Sequence, residues 1–448
     1  MPRWLWMLKQ LTRRLWVRAT LIGVLGVVAA ILAAVVERFV PWNLPGSIGA
    51  DAVDSILNII ASSMLAVTTF SLSVMTSAYG SATSNVTPRA TKLLMEDRVT
   101  QNVLSTFIGS FLFSIVGIVV LKTGAYGDRG RVILFFVTVG VIVLIVVSLL
   151  RWIDHLTRLG RVGETTDRVE EATRQAIKAR LELPYLGGTP LKDRRAIPAA
   201  AKHVSANAIG YIQHVDMAAL SRLAGKIDKD IFLAAIPGTF VYPDTTLARV
   251  NARNTEQDGD TLEDVRNAFT IARERSFDQD PRFGLAVMSE IASRALSPAV
   301  NDPGTAIDVI GRLVRLMSLW AGDDVHEKPE EPRFPQVHVP MLETRDMFED
   351  GFMPIARDGA AMVEVQLRLQ KALLALSRMG DRDFHDAALT EARRAQEHAE
   401  AALVLKSEKT RLREAIRNVR KQAGETPANA PHAAPRKRAS RGRGTARG

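Results

Sequence analysis

The sequence predicts a mainly α-helical protein in which four transmembrane helices precede a cytoplasmic α+β region. Four stretches without a charged residue lie within the first 155 of 448 residues, and each can cross the roughly 30 Å hydrocarbon core of a bilayer. Short β-type segments with Pro-Gly and Pro-Asp turns follow, and Ala-rich helices complete the chain. We therefore expect a four-helix membrane region, a small β-barrel-like element and a helical bundle.

The predicted transmembrane helices are bounded by charged residues. The charge-free stretches of 18, 34, 23 and 19 residues lie between Arg18 and Glu37, Asp54 and Arg89, Arg98 and Lys122, and Arg131 and Arg151. We predict spans over 19–37, 52–80, 100–121 and 132–152, within a membrane region of residues 17–155. A buried helix of a water-soluble protein is the alternative for each stretch, but four in succession favour the membrane.

The second predicted span carries a continuous face of polar or small residues. At 100° per residue, one narrow face collects Asp51, Ser55, Asn58, Ser62, Ala66, Thr69, Ser73, Thr76 and Gly80. In a bilayer such a face belongs against another helix or around water. The candidate pathway-lining residues are Asp51, Ser55, Asn58, Ser62, Thr69, Ser73 and Thr76.

The distribution of basic residues predicts the orientation. Basic residues before the first span and after the second are Arg3, Lys9, Arg13, Arg14, Arg18, Arg89, Lys92 and Arg98. By the positive-inside rule both termini are cytoplasmic, although Lys122, Arg129 and Arg131 in the third loop count against this.

The first sixteen residues predict an interfacial basic segment. Trp4, Leu8, Leu11 and Leu15 recur at helical spacing beside basic residues, which is typical of a helix lying in the membrane surface. A plain cytoplasmic extension of the first span is the alternative.

The remainder divides by composition. We predict a helical stalk and linker over 156–200, a small β-rich domain over 201–255 and a helical domain over 256–325. A loop over 326–355, C-terminal helices over 356–423 and a disordered basic tail over 424–448 complete the chain. The C-terminal helices, Ala360–Leu376 and Phe384–Arg420, suit close packing as a hairpin or a coiled coil between subunits.

A motif in the helical domain combines two helix starts. Its residues are Gln279, Asp280, Pro281, Arg294, Ser297, Pro298, Asn301, Asp302 and Pro303, followed by Thr305-Ala306. Here the chain resembles the predicted bacterial inner-membrane proteins grouped as domain of unknown function 2254, over residues 10–410. It departs at Ala299, where the family usually has Gly, and at Gly304, where a bulkier residue is usual. The resemblance implies four spans and a cytoplasmic region, and it implies no activity.

The same motif has a structural interpretation without a ligand. Pro298 ends one helix, Asn301 forms a turn, and Asp280 and Asp302 each cap a helix that begins with Pro. Two alternatives remain open: an anion held at a helix N-terminus near Arg275 and Arg294, and a divalent cation held by Asp280 and Asp302.

Composition argues against catalysis. The chain has no Cys, and its eight His show no ligand spacing, so we expect no metal site, no cofactor and no enzymatic activity. The net charge of +10 owes six charges to the C-terminal tail, which can contact anionic lipid; a solvated tail is the alternative. We expect no specific nucleic-acid partner.

Two classes of function fit these observations. In the first, the second span lines a channel or transport pathway in a homo-oligomer. In the second, the spans anchor a scaffold or sensor whose cytoplasmic domain binds a partner. The polarity of the second span discriminates between them, because helix packing alone tolerates Ala at those positions.

Overall fold

The computed structural model describes residues 3–12, 14–36, 50–124, 128–251, 258–322 and 331–424. The predicted basic tail after residue 424 lies outside these ranges. Within them the helices, numbered in chain order, are α1 Arg3–Thr12, α2 Leu15–Val36, α3 Ala50–Asn85, α4 Pro88–Met95, α5 Arg98–Lys122, α6 Asp128–Leu156, α7 Val162–Glu182, α8 Met217–Ile227, α9 Asp258–Asn267, α10 Pro281–Ala295, α11 Pro303–Ala321, α12 Thr344–Asp358, α13 Val363–Leu376, α14 Arg382–Ala402 and α15 Lys406–Gly424. The strands are β1 Gly188–Leu191, β2 Lys202–Ser205, β3 Gly210–Val215, β4 Ile231–Leu233, β5 Phe240–Val241, β6 Thr246–Val250, β7 Phe269–Ala272 and β8 Phe334–Pro340.

Three of the described helices are long and apolar enough to cross a membrane. These segments are Asp51–Ser84 of α3, Arg98–Lys122 of α5 and Gly130–Leu156 of α6. The first predicted span corresponds to α2, which meets the same test only together with α1, from which it is bent by 71°. The described residues therefore contain three candidate spans, or four if the bent pair counts as one.

Glycines allow α2 to pack closely on α5. A Cβ on Gly26 would lie 2.8 Å from the carbonyl oxygen of Gly109, and a Cβ on Gly109 would lie 2.7 Å from Ile22. One turn beyond Gly26, Ala30 is fully buried. Small residues thus bring the two backbones together, as is usual between membrane helices.

The strands form two sheets instead of the predicted barrel-like element. One sheet has the order β1-β8-β4-β6-β2, and the other has the order β5-β3-β7. β1 and β4 pair with β8 in parallel, whereas the other pairings are antiparallel. Three strands, β1, β7 and β8, come from outside the predicted 201–255 domain. The sequence did not assign them to the sheets because their pairing partners are distant along the chain.

The predicted loop over 326–355 is wrong where the structure describes it. It contains β8, whose Val337 and Val339 are fully buried between neighbouring strands, and the helix α12. Strand β8 was missed because its pairing partners β1 and β4 are far away in the chain, so no hairpin signal marks it.

Two other boundaries differ from prediction. The fourth span does not continue as a stalk: α6 ends at Leu156, the chain turns through Gly160 at φ +81°, and α7 begins at Val162. The predicted C-terminal helix over 384–420 is interrupted at Leu403, which is extended, and α15 then folds back so that Arg413 pairs with Glu400 at 2.6 Å. Burial of Leu403 fixes this break.

Helices α7 and α10 to α15 enclose the main core of the extramembrane region, residues 162–424. Val86, directly after α3, and Ala90 of α4 belong to the same core cluster as Met288 and Ile291. Gly284 of α10 lies against Thr173 of α7, where a Cβ would be only 2.1 Å from the threonine oxygen.

We predict that Gly284→Ala lowers the free energy of unfolding by about 1–3 kcal/mol, because the added methyl forces α10 away from α7. Chemical denaturation of the detergent-solubilised full-length protein measures this. Gly163→Ala on α7 is the matched control, since its Cβ would meet no atom within 4 Å. There helix propensity predicts a neutral change or a gain of up to about 1 kcal/mol. Equal effects at the two sites would contradict the close contact.

Candidate functional site

The predicted polar face of α3 lies on the outside of the chain. All seven candidate pathway-lining residues are exposed, and so are Ala66 and Gly80 on the same face. The opposite face packs against α5 and α6 through Val53, Leu57, Ile60 and Met64. The structure therefore keeps the predicted residues together on one surface and leaves that surface uncovered within one chain.

Several polar groups on this face bond to their own helix. The hydroxyls of Ser62, Thr69 and Thr76 donate to backbone carbonyls of the preceding turn, each at 2.9 Å. The Asn58 amide donates to the carbonyl of Asp54 at 3.0 Å. These bonds use the hydroxyl donors and one of the two N–H donors of Asn58, and the side-chain oxygens still present acceptor positions to whatever lies outside.

The far end of α3 is held by the motif helix α10. The Arg294 guanidinium donates to the carbonyl of Ser84, in the last turn of α3, where a cation also complements the helix dipole. Glu290, one turn earlier, accepts from the hydroxyl of Thr87 and from Arg89, both at 2.9 Å. The family-type motif thus contacts the helix that carries the polar face.

The first half of the motif joins the sheets to the helical core. Asp280 accepts two hydrogen bonds from Arg275, at 2.8 and 3.0 Å, and one from the backbone of Phe283 at 3.1 Å. Its carboxylate lies against Gly238, a residue at φ +95° where a Cβ would come within 2.4 Å. Burial raises the pKa of Asp280, and the guanidinium of Arg275 opposes this.

Gln279 and Pro281 complete this junction. The side-chain oxygen of Gln279 accepts from the backbone of Val215 in β3 at 3.1 Å, and its carbonyl accepts from Arg180 of α7 at 3.0 Å. Pro281 occupies the first position of α10, where no backbone N–H is needed. Sheet, α7 and α10 therefore meet at one tripeptide.

The second half of the motif builds the turn between α10 and α11. The Ser297 hydroxyl donates to the carbonyl of Arg294 at 2.7 Å, and Pro298 follows directly. Asn301 adopts a left-handed conformation at φ 52°, which Asn tolerates better than most residues. Asp302 caps α11 by accepting from Thr305 at 3.0 Å, and Pro303 follows it.

These contacts occupy most of the groups that the two ligand alternatives, an anion and a divalent cation, would need. Arg275 is paired with Asp280, and Arg294 is bonded to the end of α3, so neither guanidinium is available to an anion. Asp280 is only 2% exposed and is used as a cap and in an ion pair. Among the described residues, no group of three or more His, Cys, Asp or Glu has the arrangement of a metal site.

A buried polar cluster at the membrane junction was not predicted. Asp97 caps α5 by accepting from the backbone and hydroxyl of Thr100, at 2.8 and 2.6 Å. It also lies 2.9 Å from His155 near the end of α6 and 2.9 Å from Arg168 of α7. Burial alone would raise the pKa of Asp97, but hydrogen bonds from His155 and Thr100 and the charge of Arg168 hold it well below its usual range.

A local signal for part of this cluster exists in the sequence. Asp97 lies two residues before the charge-free stretch of the third span, which is the place of an N-cap. His155 and Arg168 lie more than 50 residues further on, and nothing in the sequence assigns them to Asp97. The cluster ties two spans to the extramembrane region.

The N-terminal helix α1 docks on the extramembrane region. Trp6 and Gln10 donate to the carboxylate of Asp278 at 3.2 and 2.8 Å, and Trp6 stacks on His214 at 5.2 Å. Of the apolar residues that predicted an interfacial segment, Trp4 and Leu8 are more than half exposed, and Leu11 is 42% exposed. One face of α1 is thus docked, and the other is free to meet a membrane surface.

Fold and site together define a multi-span membrane protein whose spans are joined to a large α/β region. The chain belongs to the family of predicted membrane proteins DUF2254, whose sequence profile matches residues 12–375. This confirms the resemblance drawn from the motif. Similar proteins are an uncharacterized protein of Mycobacterium bovis and uncharacterized proteins of two Mycobacterium tuberculosis strains, each 29% identical over 266 residues.

The matched region is 57% of this chain and 50% of each relative. The chain thus spans about half the length of the curated relatives it matches. No solved structure matches it.

We predict that Asp97→Asn lowers the free energy of unfolding at pH 7 by about 3 kcal/mol, because it removes the buried carboxylate that pairs with the buried His155 and with Arg168, which keeps only its helix neighbour Glu164. Denaturation of the detergent-solubilised protein measures the loss. Asp154→Asn is the matched control: Asp154 pairs with Arg158 at the same end of α6 but is exposed, so the change is within about 1 kcal/mol.

The pH dependence follows from the lowered pKa of Asp97. Its stabilising contribution is complete above the ordinary aspartate pKa of about 3.9 and is lost as the pH falls through the lowered value. The difference between wild type and Asp97→Asn should therefore persist to about pH 5 and close only in stronger acid. Equal stability of the two proteins at pH 7 would contradict the assignment.

Proposed function

We propose that this protein forms a homo-oligomer in which the polar faces of α3 line a transmembrane pathway for a polar solute or ion. The observation that carries the proposal is the exposure of the whole polar face of a 36-residue helix. At 1.5 Å per residue the helix is roughly 54 Å long, so the face crosses the hydrocarbon core and extends beyond it.

Acyl chains are an unfavourable environment for this polar face. Water or another protein surface is a better environment for Asn58 and the row of hydroxyls than acyl chains are. Further copies of the chain or water can provide this environment. The exposed side chains of α6, by contrast, include Phe136, Val143 and Leu150, which suit lipid. The two surfaces support an assembly with α3 inside and α6 outside.

The attachment of α3 supports a gating role for the extramembrane region. Val86, the first residue after α3, lies in the core formed by α7 and α10, and Arg294 bonds to the last turn of α3. A displacement of this core would therefore move the polar face as a rigid rod, in the manner of other helix shifts that switch proteins.

The alternative is a membrane-anchored scaffold or sensor whose extramembrane region binds a partner. One observation favours it: the hydroxyls of Ser62, Thr69 and Thr76 already bond within their helix. Such groups tolerate a dry contact between helices, so the face can serve association without a pathway.

We further propose a bacterial inner-membrane location with both termini cytoplasmic and a role without catalysis. Basic residues around α1 and α4 support the orientation. The bilayer and further copies of the chain are the partners that this proposal requires, and the basic termini supply contacts to anionic lipid.

The topology predicts the behaviour of reporter fusions. Green fluorescent protein fused after Gly424 should fluoresce, because the four-span topology keeps this end in the cytoplasm. Alkaline phosphatase fused after Gly124, between α5 and α6, should be active because that loop is periplasmic. Phosphatase activity after Gly424 together with none after Gly124 would reverse the orientation.

The polar face predicts a pattern of thiol reactivity. Cysteines placed singly at Ser62, Thr69 or Ser73 should react with a small polar maleimide in reconstituted vesicles, because that face borders water. Cysteines at Leu65 or Leu72, which are exposed on neighbouring sides of α3, should be protected by lipid. The chain has no native Cys, so wild type provides the unreactive background.

Solute flux supplies the functional readout. Thr69→Leu should reduce conductance or solute flux in the same vesicles, because a branched apolar side chain narrows and dries the path. Leu65→Val on the neighbouring side is the matched control. A protected face, silent vesicles and a stable oligomer would together establish the scaffold alternative instead.

A further inference from the structure

A cavity of about 660 Å³ lies between α1, α4 and the three-stranded sheet. Arg14 and Lys92 line it, together with the indole rings of Trp6 and Trp16 and the side chains of Met95 and Thr270. It is distinct from the polar face of α3 and from the motif residues.

The position of this cavity relates it to the membrane surface. Arg14 and Trp16 lie at the bend where α1 turns by 71° into the apolar helix α2. Met95 ends α4, three residues before the first residue of the span α5. The cavity therefore opens where α2 and α5 leave the hydrocarbon core, at the level of lipid headgroups.

The charge around the cavity is positive. A neighbouring cavity of about 750 Å³ shares Lys92 and Met95 with it and is lined also by Arg89, Arg273 and Arg275. Across both cavities five basic and two acidic residues contribute to the lining. Arg89 and Arg275 are paired with carboxylates outside the lining, so the basic groups that face the cavities are Arg14, Lys92 and Arg273. Lys92 lies 3.5 Å from the exposed Glu274, so its ammonium is only loosely paired.

Three groups at these cavities have capacity for a ligand. Within the part of the chain that the structure describes, neither guanidinium of Arg14 and Arg273 has an acceptor, and the buried hydroxyl of Thr270 has no partner. A buried hydroxyl without a partner is unusual and is satisfied when a polar ligand or water enters.

We propose that this cavity binds the headgroup of an anionic phospholipid from the leaflet that faces the extramembrane region. Arg14 and Lys92 pair with its phosphate, and Thr270 hydrogen-bonds its polar head. The apolar walls formed by Trp16, Leu11 and Met95 accommodate the first carbons of its chains. A bound lipid would join α1, α4 and β7 and so attach the docked helix α1 to the membrane.

The apolar walls favour a lipid over a soluble phosphate compound. Trp16 is 60% exposed and Leu11 is 42% exposed, and both lie beside the bend into α2. Such side chains gain contact area from acyl carbons and none from inorganic phosphate. The phosphate chemistry is common to both sources, and the experiment separates them.

Native mass spectrometry of the detergent-solubilised full-length protein tests the site. Short-chain phosphatidylglycerol, phosphatidylcholine with the same chains, and inorganic phosphate are titrated separately. We expect phosphatidylglycerol to bind most tightly. Arg14→Gln/Lys92→Gln should weaken it by at least about tenfold, because two charge-assisted contacts are lost.

Matched variants distinguish binding in this cavity from general electrostatic attraction to the protein. Arg98→Gln/Arg161→Gln removes the same charge from exposed positions outside the cavity and should leave binding unchanged. Arg14→Lys/Lys92→Arg keeps the charge and should retain binding. Thr270→Val is nearly isosteric, acts from a different element and should weaken binding severalfold.

Two outcomes would overturn the proposal. Equal losses in the two glutamine double variants would assign the effect to net charge. Binding of inorganic phosphate without preference between the two lipids would identify a soluble anion as the ligand.

Discussion

Helix α3 is held both in the membrane region and at the core of the extramembrane region, and the rest of this structure depends on this constraint. Most of the helix lies in a span apolar enough for a bilayer, while Val86, just beyond its end, is buried in the core formed by α7 and α10. A continuous helix cannot bend freely between the two environments, so the membrane region and the extramembrane region have a fixed geometry. Arg294 and Glu290 of α10 secure this end by bonds to the last turn of α3 and to the start of α4.

Buried charges concentrate where elements from distant parts of the chain meet. Asp97 gathers His155 and Arg168 at the membrane junction, and Glu170 of α7 lies 2.8 Å from Arg315 and 2.9 Å from Arg312 of α11. A buried charge is costly without its partner, so each cluster disfavours other ways of packing the same helices. Burial by itself would raise the pKa of Glu170, but hydrogen bonds from Arg315 and the charges of Arg315 and Arg312 lower it.

The motif shows how far local sequence chemistry reaches. The two Asp-Pro pairs predicted helix starts, and both aspartates cap helices in the structure, because a cap depends only on residues within one turn. The pairing of Asp280 with Arg275, its contact with Gly238 and the bond from Arg294 to Ser84 involve partners that no spacing rule connects. These long-range contacts give the motif its place between the sheets, the helical core and α3.

The sequence alone determined the apolar spans, the polar face of α3 and the membership of the family, because hydropathy, helical periodicity and motif spacing are read from neighbouring residues. Tertiary structure decided which surfaces remain uncovered: the polar face of α3 and the apolar side of α1 are exposed because the chain packs their opposite faces. It also decided the sheet order, since β8 pairs with β1 across more than 140 residues. Such pairings follow from closure of the whole fold, and no local pattern along the chain records them.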